Sequence, residues 1–329
     1  MDCEGRTGVA NIRRVLIITL RLLVTVGLLY ILASRLDMAR LEEMIGHVSL
    51  PLLAAAFTAL LAGIPINAVR WRMVLAAEGP PPRFSNLTKL LFVGLFFNQV
   101  LPTGIGGDAV RAWRCRRLGI ALGAAVRSVL LDRVSGYAVM VAVYAASLPV
   151  LLRVLSGPGE RAGVVAVFGA TLLGLFGLPL MDLLPALLLR MPMIGALADL
   201  SRETRRLVAH PGRCASVLGL SIAMIGLAAL AYMLVGDSLG VPLSFTTWLV
   251  VIPPVSLVQL MPISLAGWGV REAGMVVILA GFGVPAEAAL AVSVLIGLGL
   301  VVIGLPGGLI WLAGWDIAQP RPRAADGLA

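Results

Sequence analysis

Arg111 and Arg271 close two copies of one pattern. The first reads Gln99-Val-Leu-Pro102-Thr-Gly-Ile-Gly106-Gly107-Asp108-Ala-Val110-Arg111. The second reads Gln259-Leu-Met-Pro262-Ile-Ser-Leu-Ala-Gly267-Trp268-Gly269-Val270-Arg271, with Glu272 next. Gln, Pro, Gly, Val and Arg recur at one spacing, 160 residues apart. A guanidinium is permanently charged and presents a planar fork that matches a phosphate. Glycines such as Gly106 and Gly107 let backbone N–H groups approach an anion where a helix starts. Asp108 precedes Arg111 by three residues, within pairing distance on a helix. Asp132 and Arg133 are adjacent, so they cannot share a helix face and are expected to have separate partners. Asn98, Gln99 and Gln259 add neutral hydrogen-bonding groups to apolar runs. Ionisable groups at membrane depth are costly and usually line a polar path or pair with each other. Arg111, Arg271, Glu272, Asp108, Asp132, Arg133, Asn98, Gln99 and Gln259 are therefore the candidate headgroup path, with structural pairing as the competing reading. Pro102, Gly106, Gly107, Pro262, Gly267 and Gly269 mark the breaks in the two segments.

Arg114 and Arg117 continue the three-residue spacing from Arg111, beside Arg116. They suit lipid phosphates, and anchoring of a helix end to anionic headgroups is the favoured role for both. Trp71, Trp113, Trp311 and Trp315 are expected at the interface, whereas Trp268 lies within the second motif. No G-x-x-x-x-G-K-[ST] is present, so ATP drive by this chain is not expected. The carboxylates show no D-x-D or other metal-ligand spacing. Cys3, Cys115 and Cys214 are far apart, and His47 and His210 are the only histidines. No catalytic nucleophile, metal site or cofactor is expected.

The elements that must position these residues follow from composition. The chain has 329 residues, 59% apolar and 13% charged, where a soluble domain carries about 25% charge. The profile excludes a soluble globular protein, disorder, collagen and a disulfide scaffold; an all-α integral membrane protein remains. The net charge of +9 lies in clusters between apolar runs, which fits cytoplasmic loops and not nucleic acid. Six runs are long enough to span a bilayer: Val15 to Ala33, Ser49 to Val69, Val134 to Leu152, Arg161 to Met181, Cys214 to Val235 and Ala286 to Leu312. The first contains Arg21 and is long for a signal peptide, so it is read as uncleaved. Two further segments are broken: Lys89 through Pro102 to Arg117, and Phe245 through Pro262 to Gly281. Residues 190–213 read as an interfacial amphipathic helix. Asp199, Arg202, Glu203, Arg206 and His210 are placed on one face, with Leu197, Leu200, Thr204 and Leu207 on the other.

Sliding the chain by the motif offset aligns most spans. The single membrane domain, 1–329, thus divides into halves 15–152 and 161–313, followed by a polar tail, 316–329. Each half has three spans and one broken segment, and an odd number makes the halves antiparallel, the inverted-repeat plan of many transporters. Arginines cluster in the loops that are inside if the N-terminus is cytoplasmic, and the C-terminus is then cytoplasmic too.

The Asn98-to-Arg111 motif, Asp132-Arg133, and Pro262…Gly267-Trp-Gly-Val270-Arg271-Glu272 resemble the lysylphosphatidylglycerol synthase transmembrane-region family, also called flippase-like domain proteins. The resemblance implies an eight-helix arrangement with re-entrant pieces and movement of lipid between leaflets of a bacterial cytoplasmic membrane. The soluble aminoacyltransferase domain of full synthases is not found in this sequence, so synthase catalysis does not carry over. The expected activity is translocation of a phospholipid or lipid-linked anionic headgroup, with membrane lipids, and a lipid-modifying synthase, as the partners to expect. The alternatives are a membrane transferase acting on polyprenyl-phosphate or glycolipid, and a non-transporting partner of such a synthase.

Overall fold

Long apolar runs with few charges and helix-starting prolines become helices because each backbone N–H and C=O must pair internally where water is absent. A computed structural model of the chain describes residues 48–101, 106–183, 192–260, 264 and 266–314, with isolated positions before 48. Ten α-helices follow within them: α1 Leu50–Leu75, α2 Phe84–Val100, α3 Gly106–Cys115, α4 Leu122–Val154 and α5 Pro158–Gly177. The others are α6 Pro192–Val208, α7 Pro211–Ser238, α8 Phe245–Val258, α9 Val270–Ala280 and α10 Ala286–Leu312. Five are long and apolar enough to cross a membrane: α1, α4, α7, α10, and α5 with the 3-10 turn that extends it to Leu183. They coincide with five of the six expected spans. Pro102, Pro262, Trp315, the tail 316–329 and all but isolated positions of the run Val15 to Ala33 lie outside the described residues.

Pro51, Pro158 and Pro211 sit in the first turns of α1, α5 and α7, where a missing N–H costs nothing and the ring pre-sets φ. At about 1.5 Å per residue α4 is roughly 50 Å long, beyond the ~30 Å of a hydrocarbon core. It starts earlier than the expected Val134, so Asp132 and Arg133 lie within a helix and not at its start.

Both broken segments fold as helical hairpins. In the first, Leu101 lies over Gly106, and Gly107 packs against Gly94. Further along, Leu87 and Leu90 share a cluster with Ala112 and Cys115. The open end of the α2–α3 hairpin thus faces the end of the bundle where α4 begins. In the second, Val255 of α8 lies on Gly274 of α9, and Gly281 packs on the Val154 carbonyl where α4 ends. The two hairpins open toward opposite ends of the bundle. Close approach needs glycine at 107, where a Cβ would overlap the Gly94 carbonyl. In the second break Gly267 and Gly269 have φ of 82° and 85°, a region that L side chains rarely adopt.

α7 packs along α1, and α10 along α2. The largest core cluster joins Tyr144 of α4, Trp248 of α8, Met275 of α9 and Ile296 of α10. α5 and the 3-10 turn after it lie at the periphery, with Leu173 and Phe176 of the helix and Leu180 of the turn exposed, as suits a segment whose solvent is lipid. α6 is amphipathic, as its sequence predicts, with Leu200 and Ser201 buried. Leu197 is exposed, contrary to its expected place on the packed face. Ser201 takes that place because its hydroxyl donates to Asp182 at the end of the 3-10 turn.

Candidate functional site

Asp132, ten residues into α4, is the centre of a buried charge network. Its Oδ1 accepts from Arg70 Nε of α1 at 2.9 Å, and its Oδ2 from Arg111 Nη2 of α3 at 3.2 Å. Arg70 also donates to Ser221 Oγ of α7 at 2.9 Å, so one carboxylate ties three helices together and a fourth joins through the same guanidinium. Arg111 lies 3.1 Å from Asp108 Oδ1 through Nε. That N–H is not aimed at the oxygen and has no hydrogen-bond partner, so this contact is ionic. The Arg111 guanidinium sits 4.7 Å over the Trp71 ring, a cation–π contact, and Trp71 donates its indole N–H to Ser128 Oγ at 3.2 Å.

Asp108 also pairs with Arg133, Nη2 to Oδ2 at 2.7 Å, and Arg133 donates from Nη1 to the Tyr137 hydroxyl at 3.1 Å. Two reciprocal ion pairs therefore link α3 to α4, Arg111 with Asp132 and Asp108 with Arg133. The expectation that Asp132 and Arg133 have separate partners agrees with this geometry.

The second arginine is neutralised differently. Arg271 donates to Glu272 Oε1 from Nη2 at 2.6 Å and from Nε at 3.0 Å, and from Nε to Ser293 Oγ of α10 at 3.1 Å. Glu272 Oε2 accepts from the Gly269 N–H at 2.6 Å, capping the first turn of α9 as an acidic side chain near a helix N-terminus should. Trp268 lies 4.7 Å beneath the Arg271 guanidinium. Gly297 of α10 leaves room for it, since a Cβ there would overlap the guanidinium nitrogens.

These groups border one cavity of about 510 Å3 between the helices. Arg70, Arg111, Arg133 and Arg271 line it with Asp108 and Asp132, and so do Asn98, Gln99 and Gln259. Asn98 pins the first hairpin, its Oδ1 accepting from Gly107 N–H at 2.8 Å. Gln259 donates to the Val255 carbonyl at 3.2 Å and its side chain lies against Gly267. Gly106 and Gly107 are buried in the first turn of α3. Glu272 is fully buried behind Arg271.

Arg114 and Arg117 do not border the cavity. Arg114 is buried with its guanidinium 4.2 Å over Trp311 of α10, and its Nε and Nη1 have no hydrogen-bond partner. Arg117 is exposed on the 3-10 turn after α3, 5.8 Å from the ring of Trp113, itself 46% exposed. The three-residue stripe is thus divided, because α3 ends at Cys115. Trp71 corrects its expected interfacial place: it is fully buried as the platform under Arg111.

Sequence reasoning missed Arg70, Tyr137, Ser221 and Ser293. Arg70 stands at the end of a span beside Arg72, where a positive-inside residue and a buried ligand look alike. Ser221 and Ser293 lie among apolar residues with no motif around them. Among the described residues no group of three His, Cys, Asp or Glu side chains could hold a metal ion.

The family model of the lysylphosphatidylglycerol synthase transmembrane region matches residues 18–308. The chain belongs to that family, which makes it a membrane protein of lipid metabolism or translocation. No curated protein matches it.

Proposed function

From that membership and from the cavity, we propose that the protein is a lipid translocator. An anionic headgroup crosses the polar cavity between the two hairpins while its acyl tails stay in the bilayer. The observation that carries this reading is the convergence of four arginines, from α1, α3, α4 and α9, on one cavity of about 510 Å3 inside an apolar bundle. Charge is expensive there, and grouping it around an open space has a use only if something polar occupies that space. A purely structural network would close on itself.

In this reading the two halves are inverted repeats and the hairpins re-enter the membrane from opposite faces, meeting near its middle as in transporters built from broken helices. The opposite openings of the hairpins and the spacing shared by their motifs support it. The arginine-rich loops support a reading in which the N- and C-termini are cytoplasmic and the membrane is the bacterial cytoplasmic membrane. Arg117, exposed on the 3-10 turn after α3, holds the first hairpin at the headgroup level on that face, outside the path, whereas Arg114 is buried on Trp311 and takes no part in that anchoring. A headgroup must bind both access states with comparable strength, or the cycle stalls in one of them.

The test is leaflet exchange of labelled lipids in liposomes containing the purified protein, wild type against Arg271→Gln and Arg111→Gln. Wild type is expected to accelerate exchange over empty liposomes, and both variants to slow it. Equal rates with and without protein, for every headgroup tried, overturn the reading. Turnover of an added lipid-linked sugar favours the transferase instead.

A further inference from the structure

The charges around the cavity do not cancel. Arg70, Arg111, Arg133 and Arg271 face Asp108, Asp132 and, behind Arg271, Glu272: four cations against three anions. The one unbalanced positive charge is accessible at a single place. The side chains of Arg70, Arg111 and Arg271 are 6%, 4% and 6% exposed, whereas that of Arg133 is 32% exposed. Arg133 is also the one bound to a phenol, and the Tyr137 hydroxyl that accepts from it keeps its own proton to donate. Asp108 bridges Arg111 and Arg133 with its two oxygens, a position that phosphate oxygens could share or take over.

The rest of the wall is polar but uncharged. Gln99 and Ser256 line the cavity and have no hydrogen-bond partner among the described residues. Asn98 uses its carbonyl oxygen on Gly107, which leaves its amide N–H groups to donate. Such groups suit hydroxyls, which both donate and accept, and no carboxylate is left over for an ammonium.

We propose that the cavity takes a lipid phosphodiester with one negative charge and an uncharged, hydroxyl-bearing headgroup, its phosphate held by Arg133 and Tyr137. This rests on the translocator reading for its lipid and names the lipid's chemistry. A headgroup with an added amine cancels the phosphate charge and leaves the cavity's own positive charge uncompensated. A phosphomonoester brings about −1.5 to −2 and overshoots it.

The experiment has two arms. Purified protein is offered an equimolar mixture of phosphatidylglycerol, phosphatidylinositol, phosphatidylcholine and lysyl-phosphatidylglycerol, and the retained lipids are weighed by native mass spectrometry. The same lipids, acyl-labelled, are then followed for leaflet exchange in phosphatidylcholine liposomes. Phosphatidylglycerol and phosphatidylinositol are expected to be retained and exchanged about tenfold over the other two, the ratio a single charge-assisted contact supplies. Arg133→Gln should abolish that preference, Tyr137→Phe should weaken it, and Arg133→Lys should keep part of it. A thermal transition like that of wild type confirms that each variant is folded.

Retention or exchange led by the lysyl lipid overturns the proposal, as does a preference that survives in Arg133→Gln. Rapid exchange with no headgroup preference removes the substrate assignment and leaves the translocator standing. Selective retention without exchange sustains the assignment and removes the translocator. Displacement of the retained lipid by equimolar soluble glycerophosphoglycerol overturns the assignment to a lipid.

Discussion

The two hairpins share a motif, but only the first ties its arginine to a carboxylate of another helix. In the first, Arg111 meets Asp108 on its own helix but also Asp132 of α4, and the same two helices exchange a second pair through Asp108 and Arg133. In the second, Arg271 is neutralised by its neighbour Glu272 on the same turn, and only Ser293 reaches it from another helix. An ion pair between elements fixes their relative position, because separating them strands two charges in a poor solvent. An ion pair within one helix travels with it. The first hairpin is therefore clamped to the scaffold by ion pairs, whereas the second carries its ion pair with it and is tied to Ser293 of α10 by two hydrogen bonds, one from Arg271 and one to Glu272. A shared sequence pattern thus does not mean shared mechanics.

Asp132→Asn is the hardest test of the clamp. It leaves Arg70 without a carboxylate and Arg111 with Asp108 alone, and removing one partner of a buried pair costs about 3–5 kcal/mol. The thermal transition in detergent should fall by the largest amount of any variant named here, and an unchanged Tm would mean that the clamp holds nothing. Gly107→Ala ranks next. Its Cβ meets a backbone carbonyl that cannot move alone, so α2 and α3 must separate, at about 1–3 kcal/mol. Gly297→Ala meets the end of an arginine side chain, which can turn aside. It should spare stability more than Gly107→Ala does while reducing exchange, and the reverse order would equate the two hairpins.

Glu272→Gln keeps a carbonyl oxygen to accept from Gly269 but removes the charge facing Arg271. A cost of about 1.5–3 kcal/mol is expected, the range for a hydrogen bond to a charged group. The smallest effect belongs to the partly exposed pair Asp108–Arg133. A double-mutant cycle with Asp108→Asn and Arg133→Gln should give a coupling of about 0.5–1 kcal/mol. A coupling near zero would leave Arg111–Asp132 as the whole clamp.

Much of the architecture was legible in the sequence. Five expected spans coincide with helices because a bilayer admits little besides long apolar helices, so composition and run length suffice. The breaks were visible in the Pro and Gly of each motif, and Arg111, Arg271, Asp132 and Arg133 were identifiable as ionisable groups where they are costly. Arg70 was not, because its meaning depends on whether α7 and α4 come beside it. Trp71 was misplaced for the same reason: an indole near a span end suits an interface equally well, and only the position of Arg111 above it makes it a platform. The depth to which α4 continues before Val134 was also hidden, since Arg127, Asp132 and Arg133 lower the hydropathy of a helix that tertiary pairing keeps whole.

The sequence by itself determined that this chain is a bundle of helices in lipid, interrupted twice at one pattern, because solvent and backbone chemistry leave few other solutions. Tertiary structure decided which charge meets which. Pairing depends on which helices lie side by side, across separations of 21 residues for Arg111 and Asp132, 62 for Arg70 and Asp132 and 151 for Arg70 and Ser221. No local pattern encodes contacts of that range, and it is they that leave Arg133 as the accessible cation of the cavity.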